Sequence, residues 1–209
     1  MAKVAVIGSG LMGGGIAQAC AVAGYEVVNL DIAQEPLDRA QALVAKLMNK
    51  KVAKGKMTQE ACDEVLGRMS YSTDYASLAG AEFVIEAVPE RLDFKESTFA
   101  KMDEFADEGA VLLTNTSGID IDAIAAATTR PEAVLGMHFF YPARHELVEL
   151  IRGTATSDEA CRRPGACRPH RQTSVTTPNQ PGFIVNRIIV PYQNEGAFLV
   201  SEGCTRGRR

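Results

Sequence analysis

Tryptophan is absent from the 209 residues, aromatic side chains make up only 6%, and there are just three histidines. A core without many large rings must be built from aliphatic side chains, and so few imidazoles narrow the search for a proton carrier. Cysteine is sparse as well. Cys20, Cys62, Cys161, Cys167 and Cys204 are odd in number and lack framework spacing, which excludes a disulfide-stapled secreted scaffold and predicts reduced thiols. Cys161, Cys167 and His170 supply only three ligands without the close pairing of a zinc site, so no metal is expected. No apolar run reaches the roughly eighteen residues of a membrane span. No basic-then-apolar leader precedes the glycines that begin at residue 8. The expectation is a cytoplasmic protein with no membrane partner.

Charge is also uneven. The net charge is −4, yet seven arginines crowd into residues 162–171 and 206–209, where no acid occurs. The remaining chain is therefore strongly acidic, which argues against nucleic acid as a partner. A hydrophobic content of 46% at this length suffices for a real core.

What is present begins at the N-terminus. Val4, Ala5, Val6 and Ile7 are a short apolar run leading straight into Gly8-Ser9-Gly10-Leu11-Met12-Gly13, and a helical pattern follows. In such a strand–turn–helix, Gly8 permits the tight turn, Gly10 admits a pyrophosphate close to the backbone, and Gly13 lets the helix approach the strand. The helix N-terminus adds free N–H groups and partial positive charge. A second apolar run ends in Asp31, about twenty residues on, where a carboxylate can accept the ribose hydroxyls of adenosine and repel a 2′-phosphate. NAD is the cofactor this order of features predicts.

Further along, Leu37, Ala40, Leu43, Val44, Leu47 and Met48 recur at helical spacing, and Lys50, Lys51, Lys54 and Lys56 follow. These lysines read either as a solvated helix end or as a phosphate-binding patch. Residues 58–69 form an amphipathic helix with Thr58 as its cap. Glu82–Val88 is a buried strand stopped by Pro89, so Glu86 and Glu90 are expected at the ligand edge of a parallel sheet. A helix over 92–105, a strand over 110–114, a polar turn at Asn115-Thr116-Ser117-Gly118, an Asp120-capped helix over 121–127 and a strand over 134–140 complete the alternation. The pattern predicts an α/β fold, a doubly wound, mostly parallel Rossmann sheet with helices on both faces.

His138 lies near the end of the last of these strands. An imidazole in an apolar strand is either a satisfied core residue or a proton carrier. Glu149, eleven residues on in Leu147-Val148-Glu149-Leu150, can hold one ring nitrogen and leave the other to take a proton. Ser117, His138 and Glu149 therefore form a candidate acid/base set. A Ser-His-Glu hydrolase is disfavoured, because Ser117 lacks a nucleophile elbow and a hydrolase has no use for a dinucleotide turn.

Taken together, Val6–Gly13, Val84–Val88, Asn115–Ser117, Gly136–Phe140, Leu147–Glu149 and Pro181-Gly-Phe-Ile-Val-Asn-Arg187 resemble the short-chain L-3-hydroxyacyl-CoA dehydrogenases, the 3-hydroxybutyryl-CoA dehydrogenases among them. The resemblance implies hydride transfer between NAD and C3 of a 3-hydroxyacyl-CoA, with His138 as general base, Glu149 its partner, and Ser117 and Asn186 donors to the substrate oxygens. It implies cofactor contacts at Gly8, Gly10, Leu11, Met12, Gly13, Asp31, Ala87, Val88, Glu90, Lys95 and Asn115, and coenzyme A contacts at Lys54 and Lys56. It also implies a homo-oligomer formed through a helical C-terminal domain. On this basis residues 1–180 are the NAD-binding domain and 181–209 the truncated start of the helical one. A dehydrogenase of a sugar acid or other small hydroxy acid, and an inactive NAD-binding relative, are the competing readings.

Three departures from the family pattern stand out. Tyr141 replaces the usual Asn, and the loop to Glu149 is one residue short, which predicts that Glu149 is displaced from His138. Residues 160–172 carry Pro164, Gly165 and Pro169 where the family has an amphipathic helix, and we read them as a compensated reading-frame error, to be checked on the coding DNA. The apolar helix expected over 182–201 is broken at Pro191 and should leave apolar surface exposed.

Overall fold

The computed structural model describes residues 2–143, 145, 147–163 and 173–204. An eight-stranded sheet runs β3-β2-β1-β4-β5-β6-β7-β8. Its strands are β1 (Lys3–Ile7), β2 (Glu26–Leu30), β3 (Met69–Ser72), β4 (Phe83–Glu86), β5 (Val111–Thr114), β6 (Val134–Phe139), β7 (Leu147–Arg152) and β8 (Thr173–Pro178). Among the described residues, only the β6–β7 pair is antiparallel. The helices are α1 (Leu11–Val22), α2 (Gln34–Ala53), α3 (Gln59–Gly67), α4 (Leu92–Phe105), α5 (Ile121–Ala125), α6 (Asp158–Arg162) and α7 (Val185–Ser201).

Strand alternation divides the core between the two faces of the sheet. Val4 and Val6 pack with Ile16 and Cys20 of α1 and Val44 and Met48 of α2. Ala5 and Ile7 face Phe99 and Met102 of α4 and Ile121 and Ile124 of α5. Thr58 accepts from the Ala61 amide and Asp120 from the Asp122 amide, so both predicted caps form.

Three expectations need correction. The helix expected over 58–69 stops at Gly67, and Met69–Ser72 becomes a strand, because the edge of β2 offers it a ladder from Val27↔Met69 to Leu30↔Ser72. Pro191 does not break α7, which runs through it. The missing N–H frees the Arg187 carbonyl, but Arg187 is exposed and water can bond it. Glu149 is not displaced either. The β6–β7 ladder places it directly opposite His138 despite the short loop. Residues 164–172, with Cys167 and His170, and the arginines of 206–209 lie outside the described residues.

Candidate active site

Parallel pairing brings the carboxyl ends of β1, β4, β5 and β6 out along one edge. The glycine turn caps the first of them. Gly8 has φ 99°, and a Cβ there would sit 2.6 Å from the Ala87 carbonyl oxygen, while one on Gly13 would sit 1.9 Å from that of Gly8. Gly10 differs, with nothing within 4 Å of an added Cβ. Beside it the Ser9 hydroxyl is buried without a hydrogen-bond partner among the described residues. An open turn, an orphaned hydroxyl and the N-terminus of α1 fit a dinucleotide pyrophosphate.

Asp31, just past β2, accepts from the Ser9 amide at 2.7 Å and the Ile32 amide at 2.8 Å. Asn29, buried in β2, donates to the carbonyls of Val6 and Gly8 at 3.0 Å and so ties β2 to the turn. Its role was hidden in the sequence, where it is one polar residue inside an apolar run. Leu11 is exposed, Met12 half-buried, and Ala87 packs against the added-Cβ positions of both Gly8 and Gly13.

Glu86 does not face the open edge. It is fully buried, with Oε1 accepting from the Val88 amide (2.7 Å) and the Lys95 ammonium (2.8 Å) and Oε2 from the Thr114 hydroxyl (2.7 Å). Lys95, only 1% exposed, also reaches Glu90 Oε2 at 3.3 Å. Glu90 Oε1 in turn accepts from the Thr116 hydroxyl (2.5 Å) and the Ser117 amide (2.8 Å). Burial pushes the Glu90 carboxyl up, but the Thr116 hydroxyl, the Lys95 charge and the Ser117 amide outweigh it and leave Glu90 below the ordinary glutamate value. One ammonium shared by two carboxylates thus fixes the loop after β5. Sequence spacing gave no sign of Thr114 and Thr116 in this network.

His138 and Glu149 meet as a buried pair, Nδ1 to Oε2 at 2.8 Å. An ionised carboxylate only accepts, so Nδ1 is the donor, and in the neutral imidazole Nε2 is the free base. Asn115 Oδ1 accepts from the Phe139 amide at 2.9 Å, tying the β5 loop to the strand that carries His138. Asn186 at the start of α7 donates to the Ser117 carbonyl at 3.2 Å. Ser117 and Asn186 are therefore neighbours.

Lys54 and Lys56 lie elsewhere. With Arg39, Lys50 and Lys51 they line a cleft of about 1060 Å³ between α1 and α2 that opens at Gly10, Leu11 and Tyr141. An apolar floor with a basic rim suits an extended ligand carrying phosphates.

Residues 3–168 match the family described as 3-hydroxyacyl-CoA dehydrogenase, NAD binding domain. The chain is 40% identical to a probable 3-hydroxybutyryl-CoA dehydrogenase of Deinococcus radiodurans, covering 96% of this chain and 73% of that protein. It is 43% identical to the 3-hydroxyadipyl-CoA dehydrogenase of Escherichia coli K12 over 95% of this chain, but spans only 42% of that protein's length. Among solved structures it is similar to the (S)-3-hydroxybutyryl-CoA dehydrogenase of Ralstonia eutropha, with a TM-score of 0.92 and 38% identity over 97% of this chain and 72% of that one.

Proposed function

This chain belongs to the 3-hydroxyacyl-CoA dehydrogenase family through its NAD binding domain, and from there we propose that it transfers hydride between NAD and the C3 carbon of a 3-hydroxyacyl-CoA such as 3-hydroxybutyryl-CoA. The 2.8 Å contact of His138 with Glu149 carries this reading, because it leaves one imidazole nitrogen bare beside the sheet edge. Bound NAD supplies the hydride acceptor. His138 Nε2 takes the proton of the 3-hydroxyl as C3 is oxidised, and Glu149 balances the imidazolium that forms. In the reverse direction the protonated ring is the acid. Ser117 and Asn186 orient the substrate oxygen from one side, and burial of His138 and Glu149 excludes competing water.

The glycine turn, Leu11, Met12, Asp31, Ala87, Val88 and Asn115 hold the cofactor, and Glu90 and Lys95 set the loop against which it lies. Lys54 and Lys56 take the phosphates of coenzyme A at the basic rim. Residues 1–180 act as the nucleotide-binding unit, and 181–209 as a second unit that carries α7, whose exposed apolar side chains associate with another copy.

The test is NADH oxidation driven by acetoacetyl-CoA. His138→Gln is expected to lower kcat by at least about a hundredfold while leaving NADH affinity intact. Turnover unchanged in that variant would remove His138 from the mechanism. NADH binding without any acetoacetyl-CoA turnover in the wild type would leave only a nucleotide-holding scaffold.

A further inference from the structure

The turn that starts α7 is backbone-strained next to the proposed proton carrier. Phe183 has φ 49°, in the left-handed region that bulky side chains seldom occupy, directly after Gly182 at φ 76°. Glycine would adopt this conformation without penalty, yet a phenylalanine stands here. Phe183 is 3% exposed, whereas no residue of α7 itself is buried. Phe183 is thus the buried anchor of this end of the helix.

Two consequences of that conformation meet at the dyad. The ring lies edge-on to the His138 imidazole, centroids 5.7 Å apart at 62°, and Phe140 stands on the same imidazole at 4.6 Å and 59°. The turn also aims the next two amides inward: Ile184 and Val185 donate to Glu149 Oε1 at 3.0 and 2.9 Å, while Oε2 holds His138. The carboxylate takes the place of a side-chain cap, since α7 has none.

We infer that Phe183 is a positioning residue for the proposed reaction, its left-handed turn holding Glu149 by two amides and its ring holding the His138 imidazole in the plane that leaves Nε2 bare. The kinetic consequences rest on the dehydrogenase reading; the geometric one does not. Without the ring, the imidazole gains room to rotate, and the tautomer set by Glu149 is no longer enforced. Without the turn, Glu149 Oε1 loses both amide donors.

The experiment separates the two. In the histidine-¹⁵N-labelled full chain, with His138 assigned by its loss in His138→Gln, the wild type is expected to show one protonated and one bare ring nitrogen. Phe183→Leu should replace this with an averaged or mixed-tautomer signal, and Phe183→Tyr should restore it. Where turnover is present, Phe183→Leu is expected to lower kcat by about tenfold with the KM for NADH changed less than about twofold. In a Glu149→Gln background the same substitution should cost little, because the two act through one imidazole. Should Phe183→Leu fail to fold by circular dichroism, Phe183→Met carries the same comparison. A wild-type tautomer pattern in the folded Leu or Met variant overturns the inference, whether or not the chain turns over acetoacetyl-CoA. Absence of turnover in the wild type bears only on the proposed function.

Discussion

At the scale of single residues, the glycine turn separates packing from ligand access. Gly13→Ala would drive a Cβ to within 1.9 Å of a backbone oxygen that cannot move cheaply, so a loss of about 1–3 kcal/mol in urea unfolding is expected, with NADH binding lost alongside. Gly10→Ala meets nothing in the protein and should unfold at the wild-type urea concentration while weakening NADH binding. Equal stability losses for both would contradict the distinction. Asp103 illustrates a titrating contact far from the site. Burial raises its carboxyl, but the Thr129 amide and hydroxyl and the Arg130 guanidinium outweigh that and hold it below the ordinary aspartate value of 3.8. Because the folded value is depressed, its contribution is complete above pH 3.8 and fades as pH falls through the lower folded value. Asp103→Asn should therefore destabilise the chain near pH 7 and much less in strong acid, as read from urea midpoints across that range. His138 itself was legible from its place at a strand end, and Glu149 from its spacing. Phe183 was not, since a left-handed φ leaves no mark in a sequence that already reads Pro-Gly-Phe.

At the scale of elements, strands and long helices follow their apolar periods, and the structure departs from the sequence pattern at one helix end, β3, and at one internal proline, Pro191. The sequence of β3 reads as the tail of α3, because four residues with a half-buried pattern carry no period strong enough to compete with a preceding helix. Only the vacant edge of β2 made it a strand. α7 shows the opposite error. A proline that would stop a packed helix is tolerated on an exposed one, where solvent bonds the freed carbonyl. Pro191→Ala should then raise hydrogen-exchange protection through the middle of α7 and stabilise that helix by up to about 3 kcal/mol, leaving NADH binding unchanged. No change in protection would show that Pro191 is not what limits the helix.

At the scale of the whole molecule, α7 has no buried residue, and its exposed apolar side chains bear on association in solution. Ile188, Val190, Tyr192 and Phe198 are each more than half exposed and lie around the helix rather than on one stripe, so α7 presents apolar side chains on several sides. Self-association is the expected outcome in sedimentation velocity, reduced when Ile188 and Phe198 are both replaced by Glu; a monodisperse wild-type monomer would count against it. No described helix is long and apolar enough to cross a membrane. By itself the sequence determined the alternation of strands and helices from β1 to β6 apart from β3, the dinucleotide turn and the acid after β2, since each depends on local periodicity, glycine placement and chain spacing. Tertiary structure alone decided that Glu86 turns inward to Lys95, that Glu149 stays in register with His138 despite a shortened loop, and that α7 begins on that same carboxylate. Those outcomes depend on which ladder and which buried partner wins a given group, a competition between segments distant in the chain.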